Sequence, residues 1–323
     1  MKAVAFTEYG PADRLRIVEV DKPVPTDDEI LIRVRAASVN ALDYHRLPGK
    51  PFFIRMISGF RKPKRQWLGV DVAGVVEAVG NNVTAFRPGE EIFGVARGSF
   101  AEYACTTISK VVIKSPSVSF EHAAALPVAG ITALQGLRDK GKLVPGMKVL
   151  VNGAGGGVGT FAVQIAKAMG AEVTAVTSTG KLAMLSAIGE DHILDYTRDD
   201  FTAGTTRYDL IFDLGATHSL TEMRRVMTPN GKWLLAGGTV GAGWSTPLRN
   251  IFKGFMQSPF VDQKMSVVSA RMKTDDLVLL QKLVDEGKIA PAISRTFPLS
   301  DTASAMAYVK EGRGAGKVVV KVA

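Results

Sequence analysis

Gly153, Gly156 and Gly159 recur at three-residue spacing in KVLVNGAGGGVGTFAVQIAKAMG, between an apolar run and a helix-forming run. Side chains at those positions would hold a pyrophosphate away from the backbone amides, so the spacing reads as a dinucleotide-binding turn. A helix opening at Gly157 and Val158 turns unpaired N–H groups and its positive dipole end toward phosphate. A second strand, EVTAVTS, follows at the distance that a strand–loop–helix–strand unit requires, which a merely flexible turn would not explain. The end of that strand selects the cofactor. NAD-binding chains carry Asp or Glu about 20 residues beyond the glycines, for the ribose hydroxyls. Here no acid lies between Glu172 and Glu190, and TSTGK supplies Ser178 and Lys181 instead, a hydroxyl and a cation for a 2′-phosphate. A carboxylate about 4 Å from that phosphate would cost about 4 kcal/mol at an effective dielectric near ~20, about a thousandfold in affinity. Its absence points to NADPH; the alternative for Lys181 is a solvated lysine at a helix start.

A second centre is suggested by LGVDVAG, residues 68–74, where Asp71 stands alone in an apolar, glycine-flanked run. A turn, half of a catalytic site and the remnant of a metal site all fit that pattern. His45, Asp71 and Cys105 could form a metal trio in principle, but nothing in their spacing argues for it. Cys105 is the only cysteine, which excludes an intramolecular disulfide and a four-thiolate zinc site, and it reads as a packed strand residue. His122, His192 and His218 read as helix-end or surface residues.

The elements that must position these groups fall into two patterns. KAVAF, RIVEV, EILIRVRAASV, VVEAVG and EIFGV are short apolar or alternating runs between turn signals, as in a barrel or sandwich. From residue 148 the order becomes strand, loop, helix, strand, through EVTAVTS, KLAMLSAIG, HILDY, YDLIFDLG, SLTEMRRVMTPNG as a helix, and KWLLAGG. That alternation predicts a doubly wound parallel sheet. After the helix TDDLVLLQKLVDEGKI, the pieces AISRTFPL and GKVVVKV return to β character. The expected organisation is therefore α/β: a β-rich domain of residues 1–120 plus 288–323, with a Rossmann domain of residues 121–287 inserted into it.

Composition narrows the function classes. Of 323 residues, 46% are apolar and 22% charged, which fits a folded chain of roughly two domains at about 150 residues each. No run approaches the roughly 20 apolar residues of a membrane span, and MKAVAFTEYG lacks the apolar core of a secretion signal, so the expected location is cytoplasmic. The net charge is +9, and KPFFIRMISGFRKPKRQW, residues 50–67, carries six cations and no acid. The expected reading is a solvated loop over the active-site mouth. A peripheral contact with anionic membrane or a partner is the alternative, because Phe52, Phe53, Ile54, Met56, Ile57 and Phe60 interleave the cations. No recognition motif accompanies the charge, so nucleic acid is not expected as a partner.

The pieces MKAVAF, ASVNALDYHRLPG, LGVDVAGVVEAVG, RPGEEIFG, GSFAEYA, AALPVAGITALQGL, GAGGGVG and GKVVVKV together make the chain resemble the medium-chain dehydrogenase/reductase superfamily over essentially its full length. Within it the chain looks like the zinc-free quinone oxidoreductase branch. The basic insertion and SPFVDQK resemble the group of the chloroplast-envelope quinone oxidoreductase homologue and the mitochondrial reticulon-interacting protein. The resemblance implies a GroES-like catalytic domain, a Rossmann domain, a cleft between them, and no metal. Zinc alcohol dehydrogenases of the superfamily place cysteine where this chain has Asn40, and Gly-His-Glu where it has Gly69-Val70-Asp71; valine cannot coordinate Zn²⁺.

Residue by residue, the resemblance puts Asn40 near nicotinamide and substrate, with its amide donating to the acceptor oxygen. A turn asparagine is the alternative. Asp43, Tyr44 and His45 follow in the same loop. Related quinone reductases often carry tyrosine five positions after the asparagine, where this chain has His45, so Tyr44, His45 and solvent all stand as proton sources. Thr132 matches a position near the nicotinamide phosphate and Tyr196 one beside the adenosine phosphate. Gly237 and Gly238 close a strand end where bulk would obstruct the cofactor. Lys317 either reaches the cofactor or lies on the surface. Met265 to Ser269 resembles an edge strand through which such proteins form homodimers.

Reduction of an electron-poor acceptor needs no metal Lewis acid, whereas alcohol oxidation needs another route for the hydroxyl proton. The expected activity is NADPH-dependent, zinc-independent hydride transfer to quinones or α,β-unsaturated carbonyls. A zinc-independent alcohol or aldehyde oxidoreductase is the second reading. A cofactor-binding protein with a membrane or partner role is the third.

Overall fold

The computed structural model describes residues 1–49, 55–56, 59–63, 66–237 and 262–322. Half of the basic stretch and most of SPFVDQK, together with Gly238, lie outside the described residues. Chain contacts separate two compact units: Met1–Ile131 with Met272–Glu286 and Ile293–Ala323, and Thr132–Arg271 with Gly287–Ala292.

In chain order the strands are β1 (Lys2–Ala5), β2 (Arg16–Glu19), β3 (Glu29–Val39), β4 (Asp71–Val79), β5 (Glu91–Val95), β6 (Tyr103–Thr107), β7 (Val111–Ile113), β8 (Lys148–Asn152), β9 (Glu172–Thr177), β10 (His192–Asp195), β11 (Tyr208–Asp213), β12 (Met227–Leu235), β13 (Lys264–Val267), β14 (Ile293–Pro298) and β15 (Lys317–Lys321). The first unit holds a seven-stranded sheet ordered β14-β15-β3-β4-β5-β7, with β6 also pairing β3. β3 anchors it because Ile32, Val34 and Ala36 are buried while Arg33 and Arg35 between them point outward, the two-residue period of a strand, and both ends of the strand are buried on both faces. Its antiparallel registers set Ser38 opposite Asp71 of β4 and Val39 opposite Val318 of β15. Residues far apart in sequence therefore meet at one end of the sheet. A short helix, α1 (Ala41–Arg46), leaves β3 at that same end.

The second unit is a six-stranded, wholly parallel sheet ordered β10-β9-β8-β11-β12-β13. Sequence numbers running outward both ways from β8 give the doubly wound order. Its helix α2 (Gly157–Ala168) buries Phe161, Val163 and Ile165. On the sheet, Leu150, Ile211, Trp233 and Leu235 form a core with Tyr208, Met223 and Val226. The helix expected over residues 219–231 is shorter, running Leu220–Arg225, and Met227 already belongs to β12. Pro229 explains the early stop, since the residue before proline is pushed out of helical geometry and proline has no N–H to continue the ladder.

Candidate active site

In the second unit, the glycines of the loop after β8 serve different physical ends. Gly153 has φ of 85°, a left-handed conformation that other residues adopt only under strain. A Cβ at Gly159 would lie 2.3 Å from the Gly153 carbonyl oxygen and 2.6 Å from that of Ala154, so only glycine lets α2 start against the loop. A Cβ at Gly156, which caps α2, would meet only the Gly153 oxygen at 3.4 Å. Nothing in the protein requires glycine there, and the space it leaves faces the first turn of α2. That opening fits a phosphate. Gly155, which sequence reasoning did not single out, is the position against which Lys181 packs: a Cβ would lie 2.7 Å from Lys181 Cδ.

The end of β9 gathers the residues expected at the 2′-phosphate. Ser178 precedes a single tight turn, Thr179–Lys181. Lys181 is drawn over the glycine loop, and its burial lowers its pKa from the usual lysine value. Tyr196 lies alongside, its N–H donating to the Thr177 carbonyl at 3.0 Å, with its side chain 58% exposed. Thr132 is on the helix Pro127–Gln135, and Gly237, with φ of 115°, follows β12.

One acid escaped the sequence reasoning. The count between Glu172 and Glu190 considers one strand only, yet parallel pairing sets Asp195 of β10 opposite Thr177. Its carboxylate is turned inward, 7% exposed, accepting from the Thr179 hydroxyl at 2.5 Å, the Thr197 hydroxyl at 2.8 Å and the Thr197 N–H at 3.0 Å. Those bonds hold its pKa below the ordinary aspartate value and commit its lone pairs. Asp213 at the end of β11 is a second unforeseen acid. Fully buried, it accepts from Asn152 Nδ2, Trp233 Nε1 and the N–H groups of Gly215 and Ala216. Burial raises its pKa, and those four donors oppose the rise.

In the first unit, Asn40, Asp43, Asp71 and Lys317 are brought together at the end of β3. Asp71, 0% exposed, accepts through Oδ2 from Ser38 Oγ at 2.7 Å and Asn40 Nδ2 at 2.8 Å, and through Oδ1 from the Val128 N–H at 3.0 Å. Lys317 Nζ lies 2.7 Å from Asn40 Oδ1, 3.2 Å from the Val39 carbonyl oxygen and 3.4 Å from Asp71 Oδ2. Of the two readings of Lys317, the surface one does not hold: it is 3% exposed, because β15 pairs with β3 and turns its first side chain inward. Burial lowers its pKa, and the Asp71 and Asp43 carboxylates partly offset this. Both ends of the Asn40 amide are likewise engaged, Nδ2 donating also to the Ser38 carbonyl oxygen at 3.4 Å, so its expected donation to an acceptor oxygen would displace one of these bonds, the long one to Ser38 most readily.

Asp43 is the third charged group. Its Oδ2 accepts from the Asn40 N–H at 2.9 Å, closing the first turn of α1, and its Oδ1 accepts from the Gly69 N–H at 3.2 Å. Burial pushes its pKa up to about 6. Gly69 makes that contact from a left-handed φ of 93°, and a Cβ there would strike Ser99 and Phe100. Tyr44 is buried, its hydroxyl without a partner among the described residues and its pKa pushed up by burial. The His45 ring lies 4.4 Å from that of Tyr44, half-buried, with its pKa lowered by burial.

This donor set does not fit zinc. Asn40 and Asp71 are committed to an ammonium and to each other, Val70 offers no lone pair, and burying a divalent ion against Lys317 would add like-charge repulsion. Among the described residues no cluster of three His, Cys, Asp or Glu side chains could hold a metal. Beside Gly69 and Val70 opens a cavity of about 720 Å³, lined also by Arg46, Trp67, Arg97 and Lys110. Cys105 is on its wall, its thiol pushed up to about 11 by burial and the Glu29 charge, an unreactive state.

A β unit of this topology and a doubly wound dinucleotide-type sheet in one chain define a two-unit α/β oxidoreductase. Residues 26–117 match the alcohol dehydrogenase GroES-like domain, and residues 188–320 the zinc-binding dehydrogenase domain. The chain is 32% identical to the 2-methylene-furan-3-one reductase of Solanum lycopersicum, across 99% of this chain and 79% of the relative. It is 30% identical to the NADPH-dependent alkenal/one oxidoreductase, chloroplastic, of Arabidopsis thaliana, across the same shares. The solved quinone oxidoreductase from Coxiella burnetii superposes with a TM-score of 0.88 at 30% identity, covering 100% of this chain and 99% of that one. The chain belongs to the medium-chain dehydrogenase/reductase superfamily, as the sequence motifs led us to expect.

Proposed function

We propose that the protein is an NADPH-dependent, zinc-independent reductase of quinones or α,β-unsaturated carbonyls. The closed network of Asn40, Asp71 and Lys317 carries this reading: the residues at metal-ligand positions already hold a cation of the protein's own. An activated acceptor is then the substrate class that needs least assistance. The reductase, alkenal/one and quinone activities in the relatives' names support the same class.

NADPH, when bound, supplies the hydride. Gly153, Gly156, Gly157, Val158 and Gly159 would admit its pyrophosphate, and Ser178, Lys181 and Tyr196 would receive the 2′-phosphate, while the Asp195 carboxylate is held by Thr179 and Thr197. For an enone, hydride adds to the β-carbon, the C=C electron pair moves toward oxygen, and a proton completes the α-carbon. Asp43 and Asp71 fix the loop that carries Tyr44 and His45. Of these two, half-buried His45 is better placed to exchange a proton with solvent, and its lowered pKa leaves it a neutral N–H donor near pH 7. Tyr44 keeps its proton in a buried setting and supports the His45 ring.

The test is NADPH oxidation across a panel of small enones, 2-alkenals and quinones, with product identification. Turnover of enones to saturated ketones, insensitive to chelators, is the expected result. Absence of turnover across the whole panel overturns the reading, and chelation-resistant NADP⁺ reduction by alcohols would favour the alcohol oxidoreductase instead. The reading includes a homodimer joined through β13, which ends the second sheet among the described residues; light scattering at the monomer mass would remove that part. No described helix is long and apolar enough to cross a membrane. Cytoplasmic residence completes the proposal, to be checked by fractionation against the plastid location in one relative's name.

A further inference from the structure

The cavity beside Val70 has an unbalanced lining. The side chains of Arg46, Arg97 and Lys110 carry no hydrogen bond or ion pair among the described residues, whereas cations such as Lys22, Lys114 and Lys167 are paired with Glu77, Glu91 and Asp191. Among the described residues Glu29 is the one acid on this wall, and its Oε2 is occupied by the Thr26 N–H at 3.2 Å and hydroxyl at 2.9 Å. A concave wall of one charge sign concentrates counter-ions, and arginine in particular suits carboxylate or phosphate oxygens. Trp67 and Val70 add apolar surface on the same lining, so an amphiphile with an anionic group and a short apolar body matches the wall. The cavity also adjoins the proposed chemistry: Gly69 of the lining donates to Asp43, which closes the first turn of the helix that carries His45 and Arg46.

We propose that this cavity selects acceptors bearing an anionic group, which Arg46, Arg97 and Lys110 hold while the unsaturated end extends toward His45. The inference rests on the reductase reading for the word acceptor, but the binding itself is independent of turnover. Neither the glycine loop nor the Asn40 network requires these three cations.

The experiment compares a vinyl ketone bearing a distal carboxylate with its methyl ester, using wild type, Arg97→Gln/Lys110→Gln, and the charge-retaining Arg97→Lys/Lys110→Arg. The acid-to-ester ratio of kcat/KM should fall about tenfold in the glutamine variant, as expected for loss of a partly screened charge pair, and recover in the charge-retaining one. Calorimetric titration with the saturated keto-acid, which lacks the C=C to be reduced, should show binding about tenfold weaker in the glutamine variant, and wild-type binding should weaken as salt is raised. An unchanged ratio alongside active turnover overturns the proposal and leaves the reductase reading intact. Keto-acid binding that depends on these charges, without turnover of either acceptor, upholds the cavity and overturns the reductase. No keto-acid binding to wild type, or binding indifferent to both substitutions, overturns the cavity proposal. A glutamine variant that fails to fold is replaced by the single variants Arg97→Gln and Lys110→Gln, read in the same two ways.

Discussion

The glycine loop of the second unit and the Asn40 network of the first are both polar sites at strand ends, yet they are finished in opposite ways. At Gly156 the protein leaves space and helix N–H groups uncommitted. Around Asp71 nearly every polar atom is committed, with two opposite charges buried at 0% and 3% exposure. The first design leaves its hydrogen bonds to a ligand, and the second spends them on bracing three strands. A site prepared for a phosphate tolerates substitution in the apo protein and fails on binding; a closed charge network fails in the fold itself.

The largest expected effect therefore comes from breaking the network. Lys317→Met strands the Asp71 carboxylate in the interior and should cost about 3–5 kcal/mol in denaturant unfolding, as removal of one partner of a buried pair does. Pairing it with Asp71→Asn should restore more than half of that loss. Equal instability of single and double variants would show that shape, not charge, holds β3, β4 and β15 together.

Next in size is a pH effect on the same network. The folded-state pKa of Asp43 is about 6, against an ordinary 3.8, so the folded protein binds this proton more tightly than the unfolded chain. Folding carries no penalty from Asp43 below about pH 4; the penalty grows through the window up to about 6 and is constant above it, reaching about 3 kcal/mol. Asp43→Asn removes that titration. The difference in unfolding free energy between variant and wild type should shift in the variant's favour as pH rises through that window, and a pH-independent difference would mean that Asp43 stays ionised throughout.

The glycines break the comparison from the other side. Gly156→Ala should leave the apo melting temperature within about 2 °C and weaken NADPH binding at least about tenfold, because its side chain enters only the ligand's space. Gly159→Ala should lower both, since its Cβ strikes two backbone oxygens. If the two substitutions behave alike, the loop is not divided between ligand and packing in this way. The smallest effect is Lys181→Ala, expected to weaken NADPH about five- to tenfold with NADH unchanged, measured by fluorescence titration.

Legibility in the sequence followed the same division. The glycine loop could be read because its function is local: spacing, a strand before and a helix after suffice to define it. Val70 in place of a metal ligand was equally legible, being a fact of residue type. Lys317 was not, because nothing near GKVVVKV announces that its register against Val39 will point the ammonium at Asn40 and Asp71. Asp195 was missed for the same reason, since a count along one strand cannot see the carboxylate that parallel pairing delivers from the next. Gly155 gave no signal beyond belonging to a glycine run; only the packed Lys181 side chain reveals its purpose.

By itself, then, the sequence determined the two structural patterns, the α/β class, the superfamily and a cofactor loop suited to a phosphorylated dinucleotide, because each is written in residue types at short separations. The tertiary structure decided which charges are neutralised and which stay open. Burial and partner distance fix the state of an ionisable group, and both depend on strand register between residues as far apart as Asn40 and Lys317. For that reason Asp71 is a brace, Asp195 is a withdrawn acid, and Arg46, Arg97 and Lys110 remain the open cations of a cavity.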